Sequence, residues 1–257
     1  MGILNVTPDS FYDGGMYKDD SKILNQVEKM LSDGATFIDV GAYSSRPNAD
    51  HVSEIDELKR ILPIVNLVLK SFPETLISID TFRSEVAKQC VEAGACMIND
   101  ISAGKVDKNM LQTIAELHVP YIMMHMRGTP QTMQQHTDYE NLVKNILFYF
   151  SERIAAAKAL GIIDIIVDPG FGFAKKINQN FELLNKLELF EMLDKPFLVG
   201  ISRKSMIYKT LETSAKDALN GTSVLNTVAL QKGASVLRVH DVKEAMECIT
   251  LVKSLSN

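Results

Sequence analysis

Leu76-Ile77-Ser78-Ile79-Asp80 is the stretch on which the fold turns. Two isoleucines alternate with a serine and an aspartate. On a β-strand that spacing buries one aliphatic face and sends Ser78 and Asp80 together to the other. Seven other short apolar runs have a similar form, at residues 2–6, 37–41, 97–100, 121–125, 165–168, 197–202 and 236–240. Most are rich in Ile, Val and Leu, as parallel strands covered on both faces are. Helical spacing fills the gaps. Ile23, Leu24, Val27, Met30 and Leu31 form one stripe that stops at Gly34. Ser53 with Asp56 reads as a helix cap followed by an acidic first turn. Val86, Cys90 and Val91 continue the pattern before Gly94, and further helices are predicted over residues 138–160, 179–193, 215–231 and 242–255. Eight β–α units in 257 residues, with no break in composition, predict an α/β fold. The expected form is a single (β/α)8 TIM barrel domain over residues 1–257, with an open doubly wound sheet as the runner-up.

The composition narrows the function. Hydrophobic residues make up 46% of the chain, enough for a large core, and charged residues 23%. The net charge is -5 and no long Lys/Arg run exists, so a nucleic-acid surface is not expected. No apolar run approaches the ~18 residues of a membrane span, and no signal peptide is recognisable, so a cytoplasmic location is expected. Cys90, Cys96 and Cys248 form no CxxC pair and read as inert thiols of a reducing compartment. Asn5-Val6-Thr7 matches a glycosylation sequon, but Pro8 follows it and the match is taken as false.

Nearly every apolar run ends in polar groups. Strand one brings Asn5, strand two Asp39, strand three Asp80, strand four Asn99 and Asp100, and strand five His125. Strand six brings Asp168, strand seven Ser202-Arg203-Lys204, and strand eight Arg238 and His240. Burying so many polar groups without a ligand is costly, and in a barrel the strand ends meet at the usual catalytic face. Cations gather on strands seven and eight, carboxylates and amides on three, four and six. That polarity implies a ligand with an anionic end and a neutral, donor-rich end. His125 reads as a structural hydrogen-bonder and Asp39 as support for the second loop. Residues 7–19 and 42–52 are long loops, which in a compact domain are usually functional. The Gly-Phe-Gly in Asp168-Pro-Gly-Phe-Gly-Phe173 lacks the dinucleotide-binding context, and P-loop, HExxH and GxSxG motifs are missing. No zinc-like His spacing exists.

Taken in order, a set of motifs resembles one family. They are Met1-Gly-Ile-Leu-Asn-Val-Thr-Pro-Asp-Ser-Phe11, Asp13-Gly-Gly15, Ser44-Ser-Arg-Pro47, Ser78-Ile-Asp-Thr81 and Ile98-Asn-Asp100. Met123-Met-His125, Asp168-Pro-Gly-Phe-Gly-Phe173, Ser202-Arg-Lys204 and Arg238-Val-His240 complete it. The set resembles the dihydropteroate synthases, over essentially the whole chain. That resemblance implies condensation of p-aminobenzoate with a 7,8-dihydropterin-6-ylmethyl diphosphate, with dissociative loss of diphosphate. It implies pterin contacts from Asp80, Asn99, Met124, Asp168, Phe173, Lys204 and Arg238. It assigns diphosphate or p-aminobenzoate to Asn5, Phe11, Ser45, Arg46, Ser202, Arg238 and His240. Asp80, Lys204, Asp168, Asp13 and Arg46 would carry the catalysis, with Mg2+ beside Asn5 held chiefly by the diphosphate. Sulfonamide inhibition and a homodimer are also implied.

The chain departs from the family pattern in places. Ser45 stands where Thr is common, Ala42-Tyr43 where a Gly-Glu-like pair is usual, and Asn48 where Gly commonly follows the proline. Strand one begins at the first residues, whereas the family usually starts earlier, with a hairpin under the barrel. The alternatives are a methyltetrahydrofolate:corrinoid methyltransferase-like pterin enzyme and a non-catalytic pterin-binding protein. The first would not need the Ser202-Arg203-Lys204 and Arg238-Val239-His240 cations, and the second would normally have lost ligands.

Overall fold

The computed structural model describes residues 1–6, 16–43 and 52–255. The elements alternate along the chain: β1 (Gly2–Asn5), α1 (Met16–Ser32), β2 (Phe37–Gly41), α2 (Glu54–Ser71), β3 (Leu76–Asp80), α3 (Ser84–Glu92), β4 (Met97–Asp100) and α4 (Met110–Leu117). Then come β5 (Tyr121–Met124), α5 (Leu142–Ala159), β6 (Ile165–Asp168), α6 (Ile177–Asn185), β7 (Leu198–Val199), α7 (Ser205–Tyr208), α8 (Leu219–Gln231), β8 (Val236–Leu237) and α9 (Val242–Ser254). Each strand lies inside a run that the apolar pattern marks.

Strands β1 to β6 pair in sequence order, all parallel, and β7 pairs with β8. Two bridges, Val167 to Phe197 and Gly2 to Val239, join the two groups into a ring. At the closing seam Ile3 N donates to Val239 O at 3.0 Å, and Val239 N donates to Met1 O at 3.0 Å. This is the (β/α)8 barrel, and the open sheet is excluded.

Alternation along the strands sorts the core. Leu4, Ile38, Val40, Ile77, Ile79, Ile98 and Val167 are fully or almost fully buried in the main cluster with the helix stripes. Burial is worth about 1.5–3 kcal/mol for each large aliphatic group. The inward positions divide by height. Met97, Ile122 and Leu198 pack with Met1, Phe37, Ile166 and Val236 at the N-terminal end of the strands. The polar groups occupy the C-terminal end.

The helix limits differ from expectation in informative ways. Ser53 caps α2 as predicted, its hydroxyl accepting from Asp56 N at 3.2 Å. The helix expected from residue 138 starts at Leu142, because the Asn141 side chain caps it, accepting from Lys144 N at 3.0 Å. The helix expected over residues 179–193 splits into α6 and a 3-10 segment, Leu187–Leu193. Buried Leu187 and Phe190 are three apart, the spacing that a three-residue turn aligns. The helix expected over residues 215–231 starts at Leu219. The short α4 and α7 were not among the predicted helices.

Candidate active site

Asp39 sits at the floor of the polar end. Its Oδ1 accepts from Ser78 Oγ at 2.6 Å, and its Oδ2 accepts from Asn99 Nδ2 at 3.1 Å and from Arg238 Nε at 2.6 Å. These partners stand on β3, on β4 and just past β8. Bonds between strands that are not neighbours must cross the interior, so Asp39 points inward; the second loop that it was expected to support lies largely outside the described residues. It is the hub of the barrel's polar layer, on the inward face by strand alternation. Arg238 also donates from Nη2 to Asp80 Oδ2 at 2.7 Å, so one guanidinium serves two carboxylates. Burial pushes Asp80 up to about 7; the Arg238 charge opposes this and Asp39 adds to it. Burial also works against the Arg238 charge, but Asp39 and Asp80 outweigh it and hold its pKa above the usual guanidinium value.

Across the mouth, Asp168 ends β6 and its Oδ1 accepts from Gly170 N at 2.8 Å. Burial raises its pKa, while Lys204 opposes the rise. Lys204 donates from Nζ to Phe171 O and lies 4.9 Å from the centroid of the Phe173 ring. Burial pushes its amine down to about 8, against the pull of Asp168. Phe173 packs with buried Met124, Met126, Ile101, Met133 and Ala174, so one wall of the mouth is apolar and polarisable. The sequence-predicted pterin set of Asp80, Asn99, Met124, Asp168, Phe173, Lys204 and Arg238 is therefore brought to one end of the barrel.

The loop between Asp168 and Phe173 is held from behind by a residue that the sequence reading missed. Lys175 is buried, and its Nζ donates to Gly170 O at 2.9 Å and to Phe173 O at 3.0 Å. Its third neighbour is His125 Nδ1 at 3.1 Å. An ammonium has three donors, and three acceptors surround this one. Burial nonetheless pushes the amine down to about 7, with Asp168 working the other way. His125 is the structural hydrogen-bonder expected of it. A lysine two residues past an aromatic reads as surface, so no signal marks Lys175 in the sequence; Asp39 was marked there as a polar strand end, but not as the partner of Ser78, Asn99 and Arg238.

Asn5 ends β1, half-buried, and pairs in register with Gly41. Ser202 is buried, with its hydroxyl accepting from His240 N at 3.2 Å and lying 3.2 Å from His240 Nδ1. The imidazole of His240 is thus fixed next to the Arg238 strand end. Phe11, Asp13, Ser45 and Arg46 lie outside the described residues. Tyr43, which departs from the family pattern, is well placed: it packs edge-on to Phe82 at 5.0 Å, and its hydroxyl accepts from Gln131 at 2.9 Å.

Not every polar strand end reaches the mouth. Asp100 turns outward, where it accepts from Tyr121 Oη at 2.5 Å, Ser102 N at 2.7 Å and Gly104 N at 2.6 Å. Arg203 pairs with Asp241 at 2.8 Å. Asp100 and His125 fail to converge for one reason: their neighbours Asn99 and Met124 take the inward face.

The described residues offer hydrogen-bond acceptors, an apolar wall and cations at one end of the barrel. Among the described residues no group of three or more His, Cys, Asp or Glu could hold a metal. Comparison with known proteins agrees. The sequence profile described as "Pterin binding enzyme" matches residues 1–240. The dihydropteroate synthase of Haemophilus influenzae is 42% identical, over 100% of this chain and 94% of that protein. The structure of the Yersinia pestis dihydropteroate synthase with a sulfonamide drug superposes with a TM-score of 0.93 at 39% identity, covering 100% of this chain and 93% of that one. The Xanthomonas albilineans dihydropteroate synthase with 4-aminobenzoic acid gives 0.92 at 35% identity, covering 100% and 92%. With its barrel, its polar strand ends and these relatives in agreement, the chain belongs to the dihydropteroate synthases.

Proposed function

We propose that the protein condenses p-aminobenzoate with 7,8-dihydropterin-6-ylmethyl diphosphate, giving 7,8-dihydropteroate and diphosphate. The observation that carries this reading is buried Asn99 and Asp168 with half-buried Asp80, Lys204 and Arg238, gathered at one end of the barrel. A 2-amino-4-oxo pyrimidine edge presents two parallel N–H donors, which one carboxylate accepts bidentately. Asp168 takes that role, Asp80 and Asn99 bind further ring atoms, and Lys204 donates to the ring carbonyl. Met124 and Phe173 cover the ring faces. Arg238 stacks on the ring while reaching the phosphates, a double use suited to a planar guanidinium. Asn5, Ser202 and His240 complete the diphosphate side; the roles proposed for Phe11, Asp13, Ser45 and Arg46, at the diphosphate, the p-aminobenzoate or the reacting centre, rest on the family resemblance alone.

The methylene–oxygen bond breaks first, and its electron pair leaves with diphosphate. The ring delocalises the positive charge, which Asp80 and Asp168 stabilise. The neutral arylamine then attacks the carbon and loses its extra proton. No protein nucleophile takes part. The side-chain oxygen of Asn5 is a hard donor, and a site with one such group suits a Mg2+ ion held mainly by diphosphate oxygens; the ion would neutralise charge on the leaving group. Sulfonamides, as mimics of p-aminobenzoate, are expected to compete at the same place. No helix among the described residues is long and apolar enough to cross a membrane, in keeping with the cytoplasmic location we propose. A homodimer is supported by exposed Leu211, Val224 and Leu251 on or beside α7, α8 and α9.

The test is diphosphate release with both substrates and Mg2+ supplied. Tight pterin binding without 7,8-dihydropteroate formation would overturn the synthase reading. Lys204→Ala and Asp168→Asn should each weaken pterin binding by at least about tenfold, the loss of a charge-assisted hydrogen bond, while Lys195→Ala should leave it unchanged. Equal binding by all three variants refutes the site.

A further inference from the structure

Outside the barrel, beside the ends of β4 and β5, lies a second cavity of about 450 Å³. None of Asp80, Asn99, Asp168, Lys204 and Arg238 lines it, though Met126, which packs on the apolar wall of the mouth, also reaches it. Met124 sends its side chain inward, while the next residue, His125, lines this flank. The Tyr149 hydroxyl donates to the carbonyls of Ser102 at 3.1 Å and Met124 at 3.2 Å, which fixes its ring as the floor. Phe148 stands on the rim, 64% exposed.

The charges on this wall do not balance. Lys105 lies over the Tyr149 ring, 4.3 Å from its centroid, and Arg127 lies over Tyr139 at 3.8 Å. Arg127 donates from Nη1 to the Asp138 carbonyl at 2.6 Å. Among the described residues neither cation is in an ion pair, and Glu152 is the single carboxylate on the lining. Burial, and next the neighbouring Arg153 charge, hold the Lys105 amine below its usual value. His125 lines the same wall, with its Nδ1 3.1 Å from Lys175 Nζ on the side of the β6 loop. Like charges gathered against aromatic walls are a standing repulsion that an anion would relieve.

We propose that this cavity is a second binding site, for a small organic anion with an aromatic or aliphatic body and one phosphate or carboxylate head. The head would sit between Lys105, Arg127 and His125, and the body against Tyr149 and Phe148. Its volume lies within the range of about 300–1,000 Å³ common for small-molecule sites.

The chain has no tryptophan, so Phe148→Trp places a lone fluorophore on the rim. Phenyl phosphate is the probe and phenol its neutral control. Saturable quenching by phenyl phosphate is expected, half-complete at about 0.1–1 mM for a ligand of this size, with little response to phenol. Adding Lys105→Glu and Arg127→Glu should weaken it by at least about tenfold. Adding Arg238→Met, on the diphosphate side of the barrel mouth, should leave it intact. No saturation, an equal response to phenol, or an unchanged response after charge reversal would each overturn the proposal. So would loss of the response in the Arg238→Met variant, which would place the probe at the barrel mouth.

Discussion

Asp80 and Lys204 are displaced in opposite directions, and the proposed chemistry needs both in their charged forms. Asp80 stabilises positive charge only when ionised, so kcat/KM should rise as pH rises through about 7, where burial has placed its pKa. Lys204 donates to the ring only when protonated, so kcat/KM should fall as pH rises through about 8. A narrow bell is expected in the free-enzyme profile, and Asp80→Asn should flatten its acid limb at a much lower plateau. A variant that kept the acid limb unchanged would remove Asp80 from that role. Asp80 was legible as a site residue because Ser78 shares its face. Asp39 was not, since one polar residue in an apolar run gives no sign of which strands it will meet.

At the scale of elements, the loop after β6 is the place where backbone and site depend on each other. Gly170 has φ +72°, and a Cβ there would lie 2.1 Å from the His125 carbonyl oxygen. Gly161 has a similar φ of +83° but open space around it. Gly161→Ala should therefore cost only about 1 kcal/mol of backbone strain, and Gly170→Ala several times that, because β5 and the loop must part. Urea unfolding of both variants checks this, and equal losses would mean that the close approach does not matter. Lys175→Met should loosen the same loop, raising KM for the pterin substrate more than it lowers kcat. Loops of this kind carry their glycines openly in the sequence. The lysine that ties them down is invisible there, because its acceptors are two backbone carbonyls and a ring from another strand.

Over the whole molecule, the ring closes between β1 and the segment after β8, so the first and last units are hydrogen-bonded neighbours. The last helices pack side by side and leave Val224 54% and Leu251 69% exposed. If these surfaces meet in a homodimer, sedimentation should give twice the chain mass, and Val224→Glu with Leu251→Glu should give the chain mass without unfolding. A wild-type chain that sediments as a monomer at high concentration would refute the dimer.

The sequence by itself determined the eight strands, the barrel and the end of it at which the polar groups gather. Each of those rests on local periodicity: apolar alternation marks a strand, and the polar residue at its end marks the catalytic face. It also determined the cap of α2, because Ser53 and Asp56 are three residues apart and interact within one turn. Tertiary structure alone decided which strand-end groups converge. Asn99 faces Asp39 while Asp100 faces Tyr121, a choice fixed by β4's register and the barrel's curvature. It likewise decided that one guanidinium would join two carboxylates from β2 and β3, and that Lys175 would be buried. These outcomes depend on contacts between residues far apart in the chain, and no local pattern records them.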